Sequence, residues 1–302
     1  PKLSTDYLKN SILGLREELR KAKEKTNGVI GVNIMVALSN FSDMVKTAIS
    51  EKADIIFSGA GLPLDLPSYL EKESKTKLVP IVSSSRAAKL ICEKWRNNYD
   101  YLPDAIVVEG PKAGGHLGYK NDQIEDEHFS LEHIVPEVIE VIKAYEKSGH
   151  CKIPVIAAGG IADGRGIAAA FMLGAKGVQM GTHFVVTDES QVHENYKERI
   201  IKAKDIDSKV TGRTTGHPVR ALRNDMTRKY LELENAGAGF EELEKLTLGG
   251  LRKAVVEGDV KNGSVMAGQI AGMVKERMSC KELVQKLVNE TDALIGGKGF
   301  YE

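Results

Sequence analysis

The sequence has little cysteine, no surplus of either charge and no long hydrophobic run, and each shortage removes a class of protein. The three cysteines, Cys92, Cys151 and Cys280, are far apart and odd in number, with no CxxC pair and no histidine in ligand register. Neither a disulfide framework nor a thiolate metal centre is expected, and the histidines, His128, His133, His183 and His193 included, show no HxxxH spacing. Lysine plus arginine number 42 and aspartate plus glutamate 42. That balance provides no basic footprint to neutralise phosphates, so a nucleic-acid partner is not expected. No apolar stretch reaches the ~18 residues a membrane span needs and no leader peptide is evident, which points to a cytoplasmic protein without a membrane partner. Internal repeats and low-complexity tracts are also lacking.

What is present is a regular alternation. Short runs rich in β-branched residues lie at 29–35, 54–59, 78–83, 105–110, 153–159 and 177–181. Each is nearly continuously apolar, as in a parallel sheet covered on both faces. Helical patterns separate them, at 40–52 and 86–97 and, after an extended loop at 120–129, at 131–146. Where no insertion intervenes the strand-to-strand spacing is about one βα unit of 25 residues. A charged amphipathic helix is expected at 5–25, and further helices at 219–234, 240–257 and 280–294. A chain of 302 residues with 42% apolar composition has room for one barrel of roughly 250 residues plus additions. The expected fold is therefore α/β, a TIM-type (β/α)8 barrel. Six strands fall short of eight, so the barrel is expected to lack its first two βα units and to read as a fragment of a longer polypeptide, consistent with a start at Pro1. Residues 1–204 are expected to form the barrel portion and 205–302 a helical extension packed on its mouth.

Two motifs carry the chemistry. The run Ile153 to Gly164 ends a strand in Ala158-Gly159-Gly160, and the next strand, through Gln179, ends in Gly181-Thr182. Strand tips without side chains bring peptide N–H groups close to a phosphate, and a threonine adds a hydroxyl. Barrels often place a phosphate site after two such consecutive strands. The second motif is Glu109-Gly-Pro-Lys-Ala-Gly114-Gly115-His116-Leu-Gly118, just beyond a strand end. Its glycines let backbone hug a flat ligand while one imidazole, able to donate to an oxyanion or exchange a proton near neutral pH, enters the cleft. Asn33, at another strand end, offers an amide whose donor and acceptor edges suit a flavin-like ring, or serves a turn. Gly59-Ala-Gly61-Leu-Pro63 ends the next strand. The run Gly258 to Gly272, which includes Gln269, is rich in small residues, as close packing against a cofactor or another helix requires. Arg213, Arg220, Arg223, Arg228 and Lys229 surround His217 as a solvated face or as a rim for an acidic carrier or a nucleotide phosphate.

These residues resemble the 2-nitropropane dioxygenase-like flavoproteins, a family of nitronate monooxygenases and type II enoyl-ACP reductases. The resemblance runs from about Gly31 to Gly272 through GVNIM at 31–35, SGAGLP at 58–63, EGPKAGGHLG at 109–118, IPVIAAGGIADGRG at 153–166, VQMGTHFVV at 178–186 and AVVEGDVKNGSVMAGQIAG at 254–272. The segments from Glu189 onward are more similar to the enoyl reductases. The longer 120–148 insertion is closer to the nitronate-oxidising members, and the family's opening strand with a Gly-Gly-Met end is missing. The resemblance implies FMN as cofactor, NAD(P)H as co-substrate of a reductase, and an acyl thioester carried by acyl carrier protein or CoA as substrate in fatty acid synthesis. It admits a homodimer. It implies His116 as the catalytic group, and Asn33, Gly114, Gly115, Ala158, Gly159, Gly160, Gln179, Gly181, Thr182 and Gln269 as cofactor contacts, with no metal. The alternatives are oxidation of alkyl nitronates with oxygen, and a non-catalytic barrel fragment that only binds phosphate or flavin.

Overall fold

The computed structural model describes residues 3–296; Pro1 and the outermost ends of the ranges 1–204 and 205–302 lie outside them. The first elements in chain order are α1 (Leu3–Lys25), β1 (Gly31–Met35), α2 (Phe41–Ser50), β2 (Ile55–Gly59), β3 (Lys77–Val82), α3 (Ser85–Tyr99), β4 (Ile106–Glu109), β5 (Gly115–His116) and α4 (Leu131–Gly149). Then follow β6 (Val155–Ala158), α5 (Gly164–Met172), β7 (Gly177–Gln179), α6 (Thr182–Val185), α7 (Glu194–Ile201), β8 (Ser208–Thr211) and β9 (Val219–Leu222). The last are α8 (Asp225–Asn235), α9 (Phe240–Thr247), α10 (Gly250–Val255) and α11 (Cys280–Ile295). The chain is α/β, and its contacts gather into two compact units, Pro1–Val108 with Glu137–Val155 and Glu109–Pro136 with Ile156–Glu302.

In the first unit β1, β2, β3 and β4 pair in that order, all parallel, with Gly31 opposite Ile55, Ile55 opposite Lys77 and Ile81 opposite Val107. Parallel neighbours need a crossover, which α2 supplies from β1 to β2, α3 from β3 to β4, and a segment with a short 3-10 turn at Leu66–Tyr69 from β2 to β3. The apolar runs are apolar because they are covered: Ile34, Ile56, Leu78, Val79, Val82 and Ile106 to Val108 are all buried. Helix α3 begins where the Ser84 hydroxyl accepts the Ala87 N–H and stops at Asp100 in the left-handed conformation. Its inner face, Ala88, Ile91, Cys92 and Trp95, is buried, and the Trp95 indole N–H donates to the Pro63 carbonyl at 2.9 Å. Burial pushes the Cys92 thiol up to about 12, so this cysteine behaves as a core residue rather than a nucleophile.

In the second unit β6 and β7 form a parallel pair, with Ile156 opposite Gly177 and Ala158 opposite Gln179. Asp163 starts α5 by accepting the N–H groups of Arg165 and Gly166. Helix α11 packs along α5 so closely that a Cβ on Gly164 would lie 2.4 Å from the Glu290 Cβ. A second sheet, antiparallel in the order β5-β9-β8, stands in the same unit.

The segment expected to be a helical extension, 205–302, therefore also contains two strands. The helical pattern at 219–234 divides: Val219–Leu222 is β9, and the helix begins only after Asn224, whose side chain accepts the Thr227 N–H. Partners on both edges of β9 outweigh its weak helical preference. The pattern at 240–257 breaks at Gly249, which has φ 70°, into α9 and α10. Beneath them, Val186, Tyr196, Ile200, Leu222, Ala254, Val265 and Ala271 make one buried cluster.

Candidate active site

Where β6 ends, the chain turns through Gly159 and Gly160 at φ 87° and 82°, a region glycine enters without strain. Space is short as well. A Cβ on Gly159 would lie 2.9 Å from the Gly110 oxygen and 3.1 Å from the Ala113 Cβ, and one on Gly160 would lie 3.0 Å from the Lys112 Cβ. Beyond the end of the neighbouring β7, Gly181 has φ −113° and a Cβ there would meet nothing within 4 Å. Among the described residues, the N–H groups of Gly159, Gly160 and Gly181 reach no protein acceptor. Beside them the Thr182 hydroxyl oxygen accepts the Gly268 N–H at 2.8 Å, which leaves its own hydrogen to donate. Two adjoining strand tips thus present unused donors, the chemistry a phosphate dianion requires.

The loop after β4 is held against these tips. Gly110 N–H donates to the Ala158 oxygen at 2.9 Å and Gln269 N–H to the Lys112 oxygen at 3.0 Å. Arg220, buried on β9, donates to the Pro111 oxygen at 2.9 Å. Gly114 marks the closest approach, because a Cβ there would fall 2.5 Å from the Ala267 carbonyl carbon and the Gly268 nitrogen. Gly115 (φ 76°) has the Met266 sulfur 3.6 Å from its absent Cβ. Gly115 and His116 then pair antiparallel with Arg220 and Val219, which fixes the direction of the imidazole. The His116 side chain remains exposed, yet burial first, and then the charge of His217, lowers its pKa, so the neutral ring is favoured. At the root of the loop, burial alone raises the Glu109 carboxyl to about 7.

The sequence-derived residues are therefore brought together in large part. His116, Gly114, Gly115, Ala158, Gly159, Gly160, Thr182 and Gln269 are linked through the loop at 110–113 and the stretch 267–268, and Gln179 and Gly181 flank them at the end of β7. Asn33 lies in the first unit, exposed on β1 and opposite Phe57. His183, buried, is turned to the Ala162 oxygen at 3.0 Å. The small residues of 258–272 serve close backbone packing, as at Gly114 against Ala267 and at Gly272, whose Cβ would lie 2.9 Å from the Asp205 nitrogen.

Of the basic cluster, Arg223, Arg228 and Lys229 lie on a solvated face as expected, and Arg220 does not. Arg213 is bound to Asn121 and Glu125, Arg223 to Asp207 and Arg228 to Asp225, and Arg220 is an internal brace. Sequence reasoning missed Glu109, Met266 and the bracing role of Arg220. Only the strand pairing of β5 with β9 reveals the last two.

Fold and site together define a TIM-type α/β oxidoreductase. The chain belongs to the nitronate monooxygenase family, whose model matches residues 6–290; the enzymes of that family work with flavin. FabK from Thermotoga maritima is 38% identical and superposes with a TM-score of 0.78 over 94% of this chain and 82% of that one. A probable nitronate monooxygenase of Staphylococcus saprophyticus is 28% identical over 86% of this chain and 69% of its own length. A (3aS,4S,5R,7aS)-5-hydroxy-7a-methyl-1-oxo-octahydro-1H-indene-4-carboxyl-CoA dehydrogenase of Mycobacterium tuberculosis is also 28% identical, over 91% of this chain and 81% of its own length. Among the described residues no helix is long and apolar enough to cross a membrane.

Two outcomes follow from this geometry. Gly159→Ala, which meets both a positive φ and a carbonyl oxygen, is expected to cost about 1–3 kcal/mol of stability. Gly181→Ala, with open space, should stay within about 0.5 kcal/mol; equal losses in urea unfolding followed by circular dichroism would contradict the assigned conformations. The Glu109 carboxyl, raised in the folded state, stabilises fully below its unfolded pKa and loses that contribution as pH rises through about 7. Glu109→Gln should therefore be more stable than the native protein at pH 8, by on the order of 2 kcal/mol, and no more stable at pH 4. Parallel stability curves for the two proteins across that range would refute the burial of this carboxyl.

Proposed function

We propose that this chain binds FMN and reduces the double bond of trans-2-enoyl thioesters, carried on acyl carrier protein or CoA, at the expense of NAD(P)H. The observation that carries the reading is the set of unused N–H donors at Gly159, Gly160 and Gly181 next to an exposed imidazole at His116. Support for the thioester comes from two relatives. FabK, an enoyl-ACP reductase II, shares 38% of residues over nearly the whole chain, and the mycobacterial relative is a dehydrogenase of a carboxyl-CoA compound.

Bound flavin would supply the two-electron chemistry that no side chain can. The chain's own work is placement and proton handling. The three glycine amides and the Thr182 hydroxyl would hold the phosphate. Gly114, Gly115 and Ala158 would let backbone lie close to the ring, and the amides of Gln179 and Gln269 would satisfy its polar edges. His116 would donate from a ring nitrogen to the thioester oxygen, stabilising negative charge where it develops, or give the proton that the α-carbon needs.

The family model and the staphylococcal relative favour a second reading, nitronate oxidation with oxygen. There His116 would orient the nitronate or take its proton, and no nicotinamide would be consumed. The two readings separate in one assay. Protein reconstituted with FMN and mixed anaerobically with NADH or NADPH should lose nicotinamide absorbance only when crotonyl thioester is added. His116→Ala should keep FMN and lose on the order of a hundredfold or more in turnover. Turnover confined to nitronate and oxygen would replace the reductase by the second reading, and a colourless protein that takes up no FMN would overturn both.

A further inference from the structure

His217 is an imidazole that the reading above leaves without a task. It sits in the β8–β9 turn, where Gly212 at φ 76° makes room for its carbonyl, 2.3 Å from the position of the absent Cβ. Val219 stands opposite both Thr211 on β8 and His116 on β5, and the ladder continues as Leu117 N–H donates to the Pro218 oxygen at 2.9 Å. Two residues before Val219, His217 is thus the diagonal cross-strand neighbour of His116 on one face of the sheet. Diagonal neighbours stand about 7–8 Å apart, within reach of ring side chains directly or through one water.

Both imidazoles are exposed, and His116 feels the charge of His217. The Phe240 ring steadies His217 edge-on, with 6.2 Å between centroids. Other polar and charged groups on the turn and the elements packed on it are engaged elsewhere. Arg213 holds Asn121 and Glu125, Glu234 of α8 accepts the N–H and hydroxyl of Thr214, the Thr215 hydroxyl donates to the Gly212 oxygen, and Arg220 reaches Ser208 and Pro111.

We propose that His217 is a relay residue that returns a proton to His116 after each turnover, acting through His116 rather than on the substrate. This rests on the enoyl reductase reading. Each cycle adds a hydride, originating in the reduced nicotinamide, to the β-carbon and a proton to the α-carbon. The proton leaves the His116 imidazolium, whose neutral ring takes one from the His217 imidazolium, and water reprotonates His217. One NAD(P)H and one proton are consumed for each double bond. The relay matters because a bound thioester would cover His116, whereas His217 lies open at the turn.

The test uses the FMN-loaded protein and its His217→Asn variant with NADPH and crotonyl-CoA at fixed pH and increasing imidazole buffer. The variant should lose about tenfold in kcat at low buffer, with KM and FMN affinity unchanged, and recover as imidazole rises, while the native protein ignores the buffer. An unchanged kcat, or a loss that no buffer concentration restores, overturns the relay and leaves the reductase reading standing. Native protein that binds FMN but reduces no enoyl thioester overturns the reading itself, and the relay with it.

Discussion

Three peptide N–H groups with no acceptor in the described residues organise the second unit of this protein. Unused backbone donors at partly covered positions carry a free-energy penalty unless water or a ligand takes them, and two of the three, at Gly159 and Gly160, are held in place by contacts that leave no room for a larger residue, while Gly181 stands open. Gly159 and Gly160 take left-handed turns that bring them against the Gly110 oxygen and the Lys112 stem. Gly114 lets the next loop touch the backbone at Ala267 and Gly268. The Gly268 N–H in turn sets the Thr182 hydroxyl. The contacts at Gly159, Gly160 and Gly114 are shorter than a methyl group would allow, so the Gly159 and Gly160 donors are placed by steric necessity rather than by side-chain choice.

The same framework sets the protonation chemistry. The pairing of Gly115–His116 with β9 anchors the imidazole on a strand, which holds its direction better than a free loop would. Partial burial and the charge of His217 then favour its neutral form. The nitronate monooxygenase family model spans residues 6–290 and so takes in the glycine-ended strands and His116 alike.

Much of this was legible in the residues. The six parallel strands were announced by apolar runs that burial on both faces requires, and Ile56, Leu78 and Ile106 are buried as such runs demand. Glycines at two consecutive strand ends and around His116 pointed to the site because only backbone can approach so closely there. What sequence could not show depends on pairing between distant segments. Val219 to Leu222 reads as helix until β5 and β8 flank it, and Arg220 reads as a surface cation until the same pairing turns it inward to the Pro111 oxygen. Glu109 carries no mark in the sequence of a carboxyl raised by burial, since desolvation is a property of the surroundings. Met266 beside Gly115 is likewise a neighbour created by folding.

The central claim is that the strand tips recognise a phosphate. Comparing the affinities of FMN and riboflavin by flavin fluorescence quenching tests it most directly, because the two ligands differ only in that group. Donors aimed at a dianion should make FMN bind at least about a hundredfold more tightly, the equivalent of two or more charge-assisted hydrogen bonds. Equal affinities would mean that the phosphate is not held at Gly159, Gly160 and Gly181, and the account would be wrong at its base.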